Sequence, residues 1–90
     1  MSERRTHELK TVQPFFNVLC TKAKTFEIRF NDRDFRVGDI LILKEYYPET
    51  NYFTGRIVKA EVTYILHDEK FLQKGYVCMG LEFIPEEPPF

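Results

Sequence analysis

From Thr25 to Phe83 the chain keeps a two-residue period, and that rhythm confines most of it to strands. Phe26, Ile28 and Phe30 alternate with Thr25, Glu27 and Arg29, which reads as an apolar core face and a charged outer face. "ILILKEY" is apolar on both faces at its start, as in a strand covered on two sides. "RIVKAEVTYIL" sets Val58, Ala60, Val62, Tyr64 and Leu66 against Lys59, Glu61 and Thr63. "YVCMGLEFI" ends the pattern with Val77, Met79, Leu81 and Phe83 on one face. Upstream, "THELKTV" has strand character, with Leu9 and Val12 as its apolar points. Only "QPFFNVLCTKA" switches period: Pro14 suits a first helical turn, and Phe15/Leu19 and Phe16/Cys20 pair at i,i+4.

Five strands with one or two short helices predict a mostly β (α+β) fold, a small and mainly antiparallel β-barrel. The helix would close one end or side. An open two-layer α+β sandwich is the competing architecture. The connections are "NDRDFRVGD", with Gly38-Asp39 as its turn, a long polar-aromatic loop "YPETNYFTG", and "HDEKFLQKG". Residues 7–84 form the expected single domain, between a flexible lead (1–6) and a flexible Pro-rich tail (85–90). Ninety residues support one core, and an aromatic share of 16% is enough to fill it without staples.

A formal net charge of -1 excludes the broad basic footprint of bulk nucleic-acid binders, so any such contact must be a local pocket or stripe. Cys20 and Cys78 lack metal-type spacing and read as free thiols in a reducing compartment. "MSERRTHELK" has no apolar h-region, and no run is long enough to span a bilayer. A soluble, cytoplasmic protein without metal or cofactor is expected, its oligomeric state left open.

The candidate site starts at Lys24, Thr25, Glu27 and Arg29, which end in a loop dense in Asn31, Asp32, Arg33 and Asp34. The plain reading is a solvated strand face with a weak ion pair, worth about 0–1 kcal/mol. The functional reading is a polar pocket at the barrel mouth. His7 is either a cleft-edge base or a hydrogen-bonded structural histidine, and His67 reads as a surface residue. Tyr46, with Tyr47, Tyr52 and Phe53, either stacks on a base or anchors the loop. Arg33 and Arg36 either meet phosphate or satisfy Asp32 and Asp34.

The run from "HELK" through "KTFEIRFNDRDFRVGDILILKEY" to "GYVCMGL" resembles the ASCH superfamily, small domains similar to the PUA barrel. Within it the likeness is to an uncharacterised domain-of-unknown-function branch found in bacteria and phages. The resemblance covers roughly His7 to Leu81. It implies a PUA-like barrel whose cleft, between barrel and helix, is lined by Lys24, Glu27 and Arg29 and takes RNA or a nucleotide. One ASCH branch hydrolyses acylated cytidine with a Lys, a Thr nucleophile and a downstream Glu. Glu27 stands where that Thr would be, so an amidohydrolase, with Lys24 and Glu27 or Glu61 as its residues, is the alternative; a protein-interaction module of a phage or mobile element is another. The chain also departs from the resembled pattern at Lys22, where a glycine usually ends the helix.

Overall fold

A computed structural model describes residues 4–85. Its elements are β1 (Thr6–Thr11), α1 (Phe15–Cys20), β2 (Phe26–Phe30), β3 (Ile40–Tyr47), β4 (Tyr52–Leu66) and β5 (Tyr76–Phe83). The five strands make one sheet in the order β1-β3-β4-β5-β2. β1 runs parallel to β3; every other pairing is antiparallel. The mostly β architecture with one short helix is therefore what forms. The hydrogen-bonded ladder does not close: β1 and β2 are its two edges, and the sheet is a curled half-barrel. Across the seam between them, Arg29 Nη2 donates to Lys10 O at 2.7 Å and Arg33 Nη1 donates to Glu8 O at 2.8 Å. Guanidinium groups stand where a further ladder would be.

The concave side holds the core. Leu41, Leu43, Ala60, Val62 and Met79 are fully buried there, and Leu19 of α1 joins them. Each of these leucine, valine and methionine side chains is worth about 1.5–3 kcal/mol when buried. A helix of six residues is not stable by itself, so α1 depends on Phe16 and Leu19 facing the core. Those two, three apart, replace the expected i,i+4 pairs; Phe15 and Cys20 are exposed. Gln13 caps the helix from outside: its Oε1 accepts from Asn17 N at 3.2 Å.

β2 reverses the sequence expectation. Phe26, Ile28 and Phe30 are 42%, 47% and 55% exposed, whereas Glu27 is only 4% exposed. The cause is register: Glu27 lies opposite Met79 and Arg29 opposite Val77, so the charged residues share the buried face of β5. Alternation alone gives two faces without saying which is inside. In β4 a register shift between Val62 and Tyr64 changes the parity. Tyr64, expected inside with Val62, is exposed, and Ile65 packs on the core instead. The "YPETNYFTG" stretch is largely strand: β3 and β4 run to Tyr47 and Tyr52, and only residues 48–51 turn. The expected lead is partly structured, since Arg5 O accepts from Ile40 N at 2.8 Å and Thr6 opens β1. At the other end Ile84 N donates to Lys59 O at 2.9 Å; residues 1–3 and 86–90 of the expected lead and tail lie outside the described residues.

The helix leaves α1 through Lys22, whose φ of 62° is left-handed, with Lys22 N bonded to Leu19 O at 3.0 Å. A left-handed L-residue costs about 1–2 kcal/mol, which glycine avoids while adding chain entropy to the unfolded state. Lys22→Gly is therefore expected to raise the unfolding free energy by about 0.5–1 kcal/mol. Urea denaturation checks it, and a destabilised variant would contradict the strain assigned to this cap.

Candidate functional site

The inward turn of β2 places a carboxylate in the fold's interior, and the chain surrounds it with cations. Glu27 Oε1 accepts from Lys24 Nζ at 2.5 Å, and Oε2 accepts from Arg29 Nε at 2.7 Å. Arg29 Nη2 then reaches Lys10 O and, at 3.4 Å, Thr11 Oγ1. Isolated, such a carboxylate would cost several kcal/mol to bury; two charge-assisted bonds offset that. Lys24 Nζ also sits 5.1 Å from the centre of the Phe26 ring.

A groove of about 750 Å³ opens beside this triad, between α1, the end of β1 and β2. Val12, Phe15, Val18 and Phe26 give it apolar walls, and Lys24, Glu27 and Arg29 give it a polar one. Both Glu27 oxygens hold cations, which leaves a poor nucleophile or base. The cations are less fully used. Lys24 spends one N–H on Glu27, and Arg29 Nη1 makes no hydrogen bond among the described residues. The arrangement can thus receive an anionic group next to an apolar, partly aromatic surface.

The other candidates do not all converge there. Thr25 is exposed and lies outside the groove lining; its carbonyl accepts from Leu81 N at 3.0 Å. Asp32 is exposed on the loop and likewise outside it. Arg33 serves the seam through Glu8 O and lines a second, smaller cavity. Tyr46 is on the convex side, its hydroxyl 2.5 Å from Asn51 Oδ1 and its ring 4.8 Å from Phe53. His7 sits at the far end of β1, buried, with Nε2 2.9 Å from Asp39 Oδ2 and its ring against Phe35. It is a structural histidine rather than a cleft residue. Glu61 pairs with Arg4 at 3.3 Å, also outside the groove. Among the described residues no His, Cys, Asp and Glu cluster is placed to hold a metal, and no helix is long and apolar enough to cross a membrane.

One polar centre escaped the sequence reading. Glu45 is buried behind α1, accepting from Thr54 Oγ1 at 2.7 Å, Arg56 Nη1 at 3.4 Å and Gln13 Nε2. Arg56 in turn lies over the Phe16 ring. The signal was parity, because Glu45 continues the Leu41–Leu43 alternation that points inward.

Residues 6–81 match the family described as Domain of unknown function (DUF3850). The chain belongs to that family. It is also 37% identical over 59 residues to the "Uncharacterized 12.9 kDa protein in GpA 3'region" of Escherichia phage P2. That alignment takes in 66% of this chain and 52% of the phage protein, so the chain spans about half the length of the relative it matches. The groove residues Lys10 to Arg29 all lie within the family match.

Two buried carboxylates tie the fold to pH. Burial alone would raise the Asp39 pKa, but hydrogen bonds from His7 and from Arg36 N, with the Arg5 charge, hold it below the ordinary value. The Thr54 hydroxyl, aided by Gln13 and Arg56, outweighs burial at Glu45 and holds that pKa down as well. A depressed carboxyl pKa stabilises the fold above its unfolded value, about 3.9 for Asp and 4.3 for Glu, and that stability is lost as pH falls through the folded pKa. Unfolding free energy is thus expected to fall below about pH 4. Asp39→Asn is expected to cost about 1–3 kcal/mol at pH 7 and to flatten this acid limb. Urea titrations at pH 7 and pH 3 measure both; an acid limb as steep as in the parent protein would contradict the assignment.

Proposed function

We propose that this chain is a binding module of the ASCH and PUA-like kind, which takes a nucleotide unit in the groove between β1, α1 and β2. What carries the reading is the pairing of uncommitted N–H donors on Lys24 and Arg29 with the apolar walls of that groove. A nucleotide needs both: donors for its phosphate and an apolar, aromatic surface for its base. Phe15 and Phe26 supply the rings, and Lys24 Nζ already lies beside both, 6.0 Å and 5.1 Å from their centres. The groove's volume of about 750 Å³ is in the range of small-ligand sites. The hydrolase reading draws no such support, since Glu27 is held by two cations and Glu61 lies elsewhere.

Titration of the 15N-labelled protein with nucleoside monophosphates at low salt is the test. The account expects saturable shifts confined to Lys10–Thr11, Phe15–Val18 and Lys24–Arg29, and an affinity reduced at least about fivefold by Phe15→Ala. Phe15 is exposed, so that variant leaves the core intact. Absence of any shift at millimolar nucleotide, or shifts centred elsewhere, would refute the groove as the site.

A further inference from the structure

A second cavity lies next to the groove along the seam. It measures about 340 Å³ and is lined by Glu8, Arg33, Lys44 and Phe53 together with Lys10 and Arg29. Those last two also line the groove. The strut from Arg29 Nη2 to Lys10 O is therefore the partition between two neighbouring cavities, and each touches both of its residues.

The second cavity has its own chemistry. Lys10 Nζ lies 4.6 Å from the centre of the Tyr46 ring, and Lys44 Nζ lies 4.9 Å from that of Phe53. Tyr46 and Phe53 pack against each other with centroids 4.8 Å apart, and Phe53 is 40% exposed. Lys44 is steadied by Glu8 at 3.0 Å. Across both cavities Lys10, Lys24, Arg29, Arg33 and Lys44 face only two carboxylates, Glu8 and Glu27, in a chain whose formal net charge is -1. These five cations form one locally positive stripe along the seam, interleaved with rings at each end.

Resting on the nucleotide reading of the groove, we infer that the ligand is a single-stranded polynucleotide rather than a free nucleotide. One unit sits in the groove, the sugar-phosphate backbone crosses the Lys10–Arg29 strut, and a neighbouring base stacks on Phe53 beside Tyr46. A free nucleotide would leave the second cavity's cations and rings unused. A duplex presents its bases stacked and paired, out of reach of separate aromatic platforms.

Fluorescence anisotropy with labelled oligo-U and oligo-dT of increasing length, competed by nucleoside monophosphates and by inorganic polyphosphate, tests this. The inference expects oligonucleotides of four or more units to bind at least about fivefold more tightly than the monophosphate. Phe53→Ala and Lys44→Glu, both outside the groove, are each expected to abolish that gain while leaving monophosphate affinity unchanged. Monophosphate binding without a length-dependent gain overturns the inference and leaves the groove reading standing. So does a gain that both variants retain, or competition by polyphosphate equal to that by oligonucleotide. Failure of monophosphate and oligonucleotide alike overturns both.

Discussion

A carboxylate turned into the fold at Glu27 governs how the rest of the chain can close. Burying it unpaired would cost several kcal/mol, so the strand that carries it must bring cations with it. Lys24 and Arg29 answer from the same segment, one from just before β2 and one two residues on. Once Arg29 is fixed by Glu27, its Nη2 reaches the exposed carbonyl edge of β1. Arg33 repeats the contact two residues along. Open sheet edges invite pairing with other chains; here side-chain donors from one edge occupy carbonyls on the other. The half-barrel is held shut by guanidinium groups.

On the proposed reading, stability and recognition share residues. The triad that holds the seam is also the polar wall of the groove, and its strut divides the groove from the cavity on the convex side. Removing Arg29 therefore disturbs the fold along with the groove, whereas Phe53 and Lys44 lie clear of the triad. The same inversion leaves Phe26, Ile28 and Phe30 on the outer face, where the Phe30 ring meets Tyr76 edge-on at 5.5 Å.

Strand positions, the single helix and the face of β5 were legible from period alone, because β5 carries Val77, Met79 and Leu81 at one parity; β3, read as covered on both sides, buries only the parity of Leu41, Leu43 and Glu45 fully. β2 was not legible in the same way. Its alternation is as regular, but hydrophobicity assigns the wrong face, since a satisfied ion triad can be buried and phenylalanines left outside. The residues Lys24, Glu27 and Arg29 were nevertheless singled out together, and they are together. Thr25 and Asp32 were grouped with them by sequence proximity, His7 as a cleft-edge base and Tyr46 as a stacking ring, and none of the four lines the groove. Glu45 was missed because a lone glutamate in "LKEY" looks exposed until its parity is followed. The bulge near Thr63 leaves no mark in the alternation of β4.

The central claim is that the charges of β2 are interior and mutually dependent. A double-mutant cycle on Glu27→Gln and Arg29→Met, read by urea denaturation at pH 7, tests it most directly. Arg29→Met alone should cost about 1.5–3 kcal/mol, because it removes one of the two cations that hold the buried carboxylate, and the cycle should return a coupling of about 1–3 kcal/mol. Two single variants each costing less than about 1 kcal/mol and adding within about 0.5 kcal/mol would describe a solvated strand face, and would contradict the account.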